Sequence, residues 1–156
     1  MDDIAPEVVS IADACLGGLQ GRSALLIGPK ENCSLYAQLL RCAHMKNIFQ
    51  EETPTGISAL LPHVHLVINM PTPFYRIDRA VSAISVAVSS PMLTAAIIAK
   101  GCERRRIPLL IFDLDPLCSV EELAGLLPTV CLYTPEDLRR IMLKPKTVET
   151  VDVMAS

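Results

Sequence analysis

Tryptophan is absent from this chain of 156 residues, and aromatic residues of any kind make up only 4% of it. A core must therefore be built from Leu, Ile, Val and Ala, the usual filling of a parallel sheet covered by helices on both faces. Charge of one sign is also lacking. The formal net charge is −3, and charged residues make up 20%. No basic field is available to gather phosphate backbones, so the charge gives no support to nucleic-acid binding. The one dense cationic cluster, Arg104-Arg105-Arg106, falls at the expected end of a helix. Cations there favour the negative end of the helix dipole, and a solvated structural role is its simpler reading.

Long apolar runs are missing too. Ala80–Val88 and Met92–Ala99 are separated by Ser89-Ser90-Pro91, and each is shorter than the ~20 residues a membrane span needs. Asp2 and Asp3 stand where a secretory leader would be basic. A cytoplasmic protein without membrane attachment is the expectation. The six cysteines form no C-x-x-C pair. They read as reduced thiols serving as small core hydrophobes. His63-x-His65 has no cysteine near it in sequence, so no metal site is expected.

What is present is alternation. Hydrophobic residues make up 51% of the chain, enough for a real core. Helical spacing over residues 6–18 ends at Gly17-Gly18. Ser23–Gly28 reads as a buried strand. A helix over Glu31–His44 and a brief strand over Lys46–Gln50 follow. Thr55–Leu61 reads as a short helix capped by Thr53 or Thr55. Val64–Asn69 is a third strand. Pro71 and Pro73 then break the chain before a short helix at Phe74–Ala80 and a fourth strand at Ser82–Val88. Met92–Arg104 is a helix with Gly101 as a weak spot, and Pro108–Asp113 is the fifth strand. Ser119 and Glu122 form a capping box for a helix to Leu126. Thr129–Tyr133 is the sixth strand, and Thr134-Pro135-Glu136-Asp137 opens a last helix to Leu143.

Six strands alternating with helices predict an α/β fold: a doubly wound, mostly parallel, six-stranded, Rossmann-like sheet. Residues 1–143 would form one domain, with 144–156 as a mobile tail. A ligand in such a sheet sits at the carboxyl ends of the strands, near the reversal of strand order. The loops after Ile27, Gln50, Asn69 and Val88 are then the candidate cofactor-binding loops, with Gly28, Glu51, Asn69 and Ser89 among the candidate residues.

The first of these loops departs from the dinucleotide pattern. A G-x-G-x-x-G turn needs its second glycine for close approach of the pyrophosphate and its third for helix packing. Gly28 supplies the first, but Lys30 and Cys33 replace the other two. Lys30 could meet a phosphate or fill its space. Glu31 would repel a phosphate at the helix N-terminus. A helix N-terminus would lower the pKa of Cys33, although no histidine lies near it to make a catalytic pair. Glu51 and Glu52 could hold a ribose hydroxyl, favouring NAD over NADP, or simply form a solvated acidic loop. Asp113 and Asp115 are the other polar groups expected near the cleft.

Gly21–Gly28, Ser89–Thr94, Arg104–Asp113, Val130–Tyr133 and Glu136–Leu138 together resemble the nucleotide-binding domain of glutamyl-tRNA reductase. The similarity runs over roughly residues 8–143. It implies a Rossmann fold and a link to tetrapyrrole synthesis. The departures are specific. The family's Asn-Arg, which would face the NADP phosphate, falls near Glu52 and Thr53. Leu114-Asp115-Pro116-Leu117 replaces its Pro-Arg-Asp. The family's catalytic cysteine and helical dimerisation domain would lie outside the similar region.

The expectation is thus a stand-alone, degenerate domain, leaning away from catalysis, that acts as a partner, regulator or ligand-binding module. No cofactor is expected. The alternatives are an NAD- or NADP-dependent oxidoreductase with an atypical phosphate loop, and an assembly module pairing with a second copy or a separate protein subunit.

Overall fold

The computed structural model describes residues 4–52, 56–71, 93–103, 105–115 and 120–142. Helix α1 covers Ala5–Leu16, and Gly17 ends it in the left-handed conformation at φ 69°. Strand β1 is Ser23–Ile27. Helix α2 runs over Lys30–Cys42 and is led in by Pro29. Strand β2 is Asn47–Glu51. A single helical turn, α3 at Ile57–Leu60, continues as a 3-10 turn over Leu61–His63. Strand β3 is Leu66–Asn69.

Helix α4, Ala95–Gly101, is capped by Thr94, whose side chain accepts from the Ile97 amide. Strand β4 is Leu109–Asp113, and β5 is Val130–Tyr133. Helix α5, residues 135–142, opens with a capping exchange. The Asp137 amide donates to Thr134 Oγ1, and the Thr134 amide donates to the Asp137 carboxylate. Each satisfies one of the amides a helix start leaves unpaired.

The described residues hold five strands in the order β2-β1-β3-β4-β5, every neighbouring pair parallel. The run expected as a further strand, Ser82–Val88, lies outside the described residues, as do Phe74–Ala80, Ser89 and the segment 144–156. Three other expectations need correction. Thr53 and Thr55 lie outside the described residues, and the α3 cap position is Gly56 at φ 85°. The segment expected as a helix from Ser119 is a 3-10 turn over Glu122–Leu126. Val120 is held by a bridge to Leu93, and the Glu121 amide donates to the Leu93 carbonyl, so a long-range contact overrides the local cap. Gly101 is no weak spot. A side chain there would put its Cβ 2.6 Å from Leu61 Cβ, so α4 packs closely on that turn because residue 101 has none.

Strand order and crossover handedness explain which helix covers which face. The chain winds outward from β1 to β2 through α2, then returns past β1 to β3 through α3. Right-handed crossovers in opposite directions place those helices on opposite faces. Ala24, Leu26, Leu66, Ile68, Leu110 and Phe112 accordingly pack under α1, α2 and α5. The alternate residues Leu25, Ile27, Val67, Leu109 and Ile111 pack under α3, α4 and the second 3-10 turn. Burial on both faces explains the unbroken apolar strands β1 and β4. Each fully buried Leu, Ile or Phe of this kind contributes about 1.5–3 kcal/mol. Among the described residues, no helix is long and apolar enough to cross a membrane.

Candidate functional site

The winding reverses between β1 and β3, so the ligand crevice of such a sheet would open above the ends of these two strands. Parallel register lines up their last residues. Ile27 is opposite both Glu51 of β2 and Asn69 of β3, and Asn69 is opposite Asp113 of β4. The expected residues Gly28, Glu51, Glu52 and Asn69 therefore do share one edge, the carboxyl edge. Lys30 is exposed at the first position of α2. Ser89 lies outside the described residues.

Gly28 has φ 138°, a value that favours glycine, and its amide donates to the Glu51 carbonyl at 2.8 Å. Met70 sits directly on it. The Met70 amide donates to the Ile27 carbonyl at 2.8 Å. A Cβ on residue 28 would lie 2.6 Å from Met70 Cβ. Met70 is only 4% exposed and joins the apolar cluster beneath α2. At the reversal point, where a dinucleotide needs open backbone, there is a packed methionine.

Cys33 is buried beside this turn, and its thiol donates to the Gly28 carbonyl across 3.8 Å. Its pKa is pushed up to about 11, first by burial, then by the charges of Glu52 and Glu31. A place at a helix N-terminus predicts the opposite direction. Desolvation outweighs the dipole here, so Cys33 is a protonated core thiol and not a nucleophile. Glu52 and Glu31 are thus near enough to act on this turn, where Lys30 is the opposing charge. Glu51, Asp113, Asp115 and Glu121 are further acidic residues along the same edge.

Next to the plugged crevice is a buried polar cluster. Asn69, Asp113 and Asp115 are each at most 2% exposed. Asp113 Oδ1 accepts from Asn69 Nδ2 and from the Asp115 amide, both at 3.1 Å, and Oδ2 accepts from the Val120 amide at 3.2 Å. Burial raises the Asp113 pKa, and the Asp115 charge adds to this. The three hydrogen bonds oppose the rise. The cluster ties β3, β4 and the Val120 segment together. It is built to hold backbone, since both carboxylate oxygens already accept protein donors.

Sequence reasoning missed Met70. The usable signal was its place: the residue just after β3 faces the first loop and would have to be small to leave a crevice. Reasoning also gave no role to the opposite, amino edge. There the Ser23 amide donates to His65 Nδ1 at 3.3 Å. Burial lowers the His65 pKa, and the charges of Arg105 and Arg22 lower it further. Among the described residues, no group of three or more His, Cys, Asp or Glu side chains could hold a metal ion.

No family model matches the chain. Glutamyl-tRNA reductase of Alkalilimnicola ehrlichii is 30% identical over 145 residues, covering 89% of this chain and 32% of the relative. The enzyme of the same name from Methanospirillum hungatei is 29% identical over 148 residues, covering 88% of this chain and 35% of the relative. Among solved structures, glutamyl-tRNA reductase from Methanopyrus kandleri superposes with a TM-score of 0.69 at 19% identity, over 96% of this chain and 40% of that one. A dipicolinate synthase chain from Bacillus halodurans shares the fold at a TM-score of 0.57 and 12% identity, covering 85% of this chain and 47% of that one. The chain therefore has a Rossmann-like fold and resembles glutamyl-tRNA reductase along most of its own length, while spanning about a third of the length of the curated relatives it matches.

Proposed function

We propose that this chain is a non-catalytic relative of the nucleotide-binding domain of glutamyl-tRNA reductase, serving tetrapyrrole synthesis as a partner or regulatory module, without NAD or NADP as a working cofactor. The single observation that carries this reading is Met70 packed on Gly28 at the point where strand order reverses. A pyrophosphate needs close contact with backbone there and a favourable field from the helix N-terminus. The chain offers a buried methionine and a loop under the influence of Glu31 and Glu52. Cys33 is a protonated core thiol, so no activated nucleophile stands at this turn.

Calorimetric titration of the folded protein with NADH and with NADPH, up to millimolar concentration, tests the reading. Neither should give a saturable heat. Micromolar binding of either cofactor that is lost in Lys30→Ala would overturn it and restore an oxidoreductase with an atypical loop.

A further inference from the structure

Of the five cysteines among the described residues, Cys33 and Cys102 are buried, whereas Cys15, Cys42 and Cys131 are exposed. Two of the exposed thiols share one face of the sheet. Along α1, Val8 and Ala12 are buried in the cluster on that face, and the same helical stripe next reaches Cys15 in the last turn. In β5, Val130 and Leu132 belong to the cluster under α3 and α4. Alternation along the strand turns Cys131 and Tyr133 to the other face, where α1 lies. The register agrees. Cys131 is opposite Leu110 and Tyr133 is opposite Phe112, and both of those β4 residues pack under α1, α2 and α5.

Tyr133 joins the two cysteines. Its ring stacks on Phe112 with centroids 5.1 Å apart, and its hydroxyl lies 3.4 Å from Cys15 Sγ, a hydrogen-bond contact. That bond, then burial, then the charges of Cys15, Cys131 and Asp137 push the Tyr133 pKa up to about 12. The phenol therefore keeps its proton and is the donor whenever Cys15 is a thiolate. Burial raises the Cys131 pKa, and the Cys15 charge raises it further, so the two thiols act on each other. No heavy atom lies within 4 Å of where a Cβ on Gly17 or Gly18 would sit, so the chain just after Cys15 has room to shift as a bond closes.

We infer that Cys15 and Cys131 form a dithiol site whose substrate is a small-molecule disulfide, with Cys15 attacking, Cys131 resolving and Tyr133 as the positioning residue. The Cys15 thiolate attacks one sulfur of R–S–S–R. That S–S bond breaks, one R–S⁻ leaves and takes up a proton, and Cys15 carries a mixed disulfide. The Cys131 thiolate then attacks the Cys15 sulfur and displaces the second R–S⁻. The protein gives up two protons and two electrons, and the substrate is reduced to two thiols. The field sets the order. Once Cys15 is in the mixed disulfide, its charge no longer raises the Cys131 pKa, so the first step readies the second. The product fastens the last turn of α1 to β5, the last strand in the sheet order.

The test is incubation of the reduced, folded chain with glutathione disulfide near neutral pH, followed by intact mass and peptide mapping. The expected product has lost two hydrogens and carries a Cys15–Cys131 cross-link. Cys118 lies outside the described residues and shares a tryptic peptide with Cys131, so a second cleavage at Glu121 or Glu122 assigns the link. Cys131→Ser should stop at a glutathione mixed disulfide on Cys15, and Cys42→Ser should leave the cross-link unchanged. Tyr133→Phe keeps the ring on Phe112 but loses the hydroxyl, and should slow the first step several-fold and move its pH profile. The cross-link closes a long loop, so the urea midpoint should rise on oxidation and fall back with a reductant. A glutathione adduct on Cys15 that persists in the parent protein would overturn the proposal. So would a cross-link between another pair, or a Cys15 that reacts no faster than Cys42.

Discussion

The two ends of this parallel sheet differ in both packing and sign. In a dinucleotide-binding sheet the carboxyl end is the open one, and helix N-termini make it attractive to anions. Here, among the described residues, Met70 packs on Gly28 at that end, the Asn69–Asp113 hydrogen bond ties it, and carboxylates line it. The amino end, ordinarily the structural end, carries Arg22, Lys46, Arg105 and Arg106. A fold can be retained while the end that meets ligands changes, because strand pairing and helix packing constrain the middle of the sheet more than its loops.

The largest expected effect lies at the carboxyl end. Asp113→Ala would strand the Asn69 side chain and two backbone amides in a buried site. A loss of about 3–5 kcal/mol in urea unfolding is expected; a loss below about 1 kcal/mol would mean that water replaces the carboxylate and that the cluster is not dry. Next comes a pair of glycines, one at each end. Gly28→Ala forces a Cβ to 2.6 Å from Met70 Cβ at φ 138°, and should cost about 2–4 kcal/mol. Gly21 also has a positive φ, 79°, but a Cβ there would meet nothing within 4 Å. Gly21→Ala should cost only the conformational penalty of about 1 kcal/mol. Equal losses at the two positions would remove the packing contrast between the ends.

The smallest effect is a difference in proton linkage. His65, at the amino edge, has a folded pKa below its ordinary 6.5. As pH falls, the unfolded chain takes up that proton first. The stability His65 contributes is therefore fully present above pH 6.5 and is lost as pH falls through the folded value. Asp113, at the carboxyl edge, has a folded pKa above 3.8. Its contribution is fully present below that value and is lost as pH rises through the folded one. Thermal unfolding of His65→Gln between neutral and mildly acid pH should show a shallower decline than the parent protein. Superimposable profiles would show that neither burial nor the charges of Arg105 and Arg22 lower the His65 pKa.

Much of the scaffold was legible in the sequence. Runs such as Leu25–Ile27 and Leu109–Phe112 are apolar at every position because both faces are covered. The Thr134–Asp137 cap is a local exchange that the residues themselves specify. The features that escaped depend on contacts distant in sequence. Glu121 accepts the Ala95 amide at 2.7 Å, which helps hold an expected helix start in extended form. Met70 reaches Gly28 across the sheet. The helix position of Cys33 predicts a lowered pKa, but burial decides the direction. The candidate residues of the carboxyl edge fall along the strand ends as the alternation predicts. That Met70 packs on Gly28 there required the packing.

The most direct measurement of that contrast is residue-resolved. Amide resonances of the isotope-labelled protein can be followed during titration with NADH to millimolar concentration. Met70 packed on Gly28 predicts no saturable shifts at Gly28, Lys30, Glu31, Glu52 or Asn69. Saturable shifts centred on Gly28 and Glu31 would show that Met70 yields to a dinucleotide and would contradict the account.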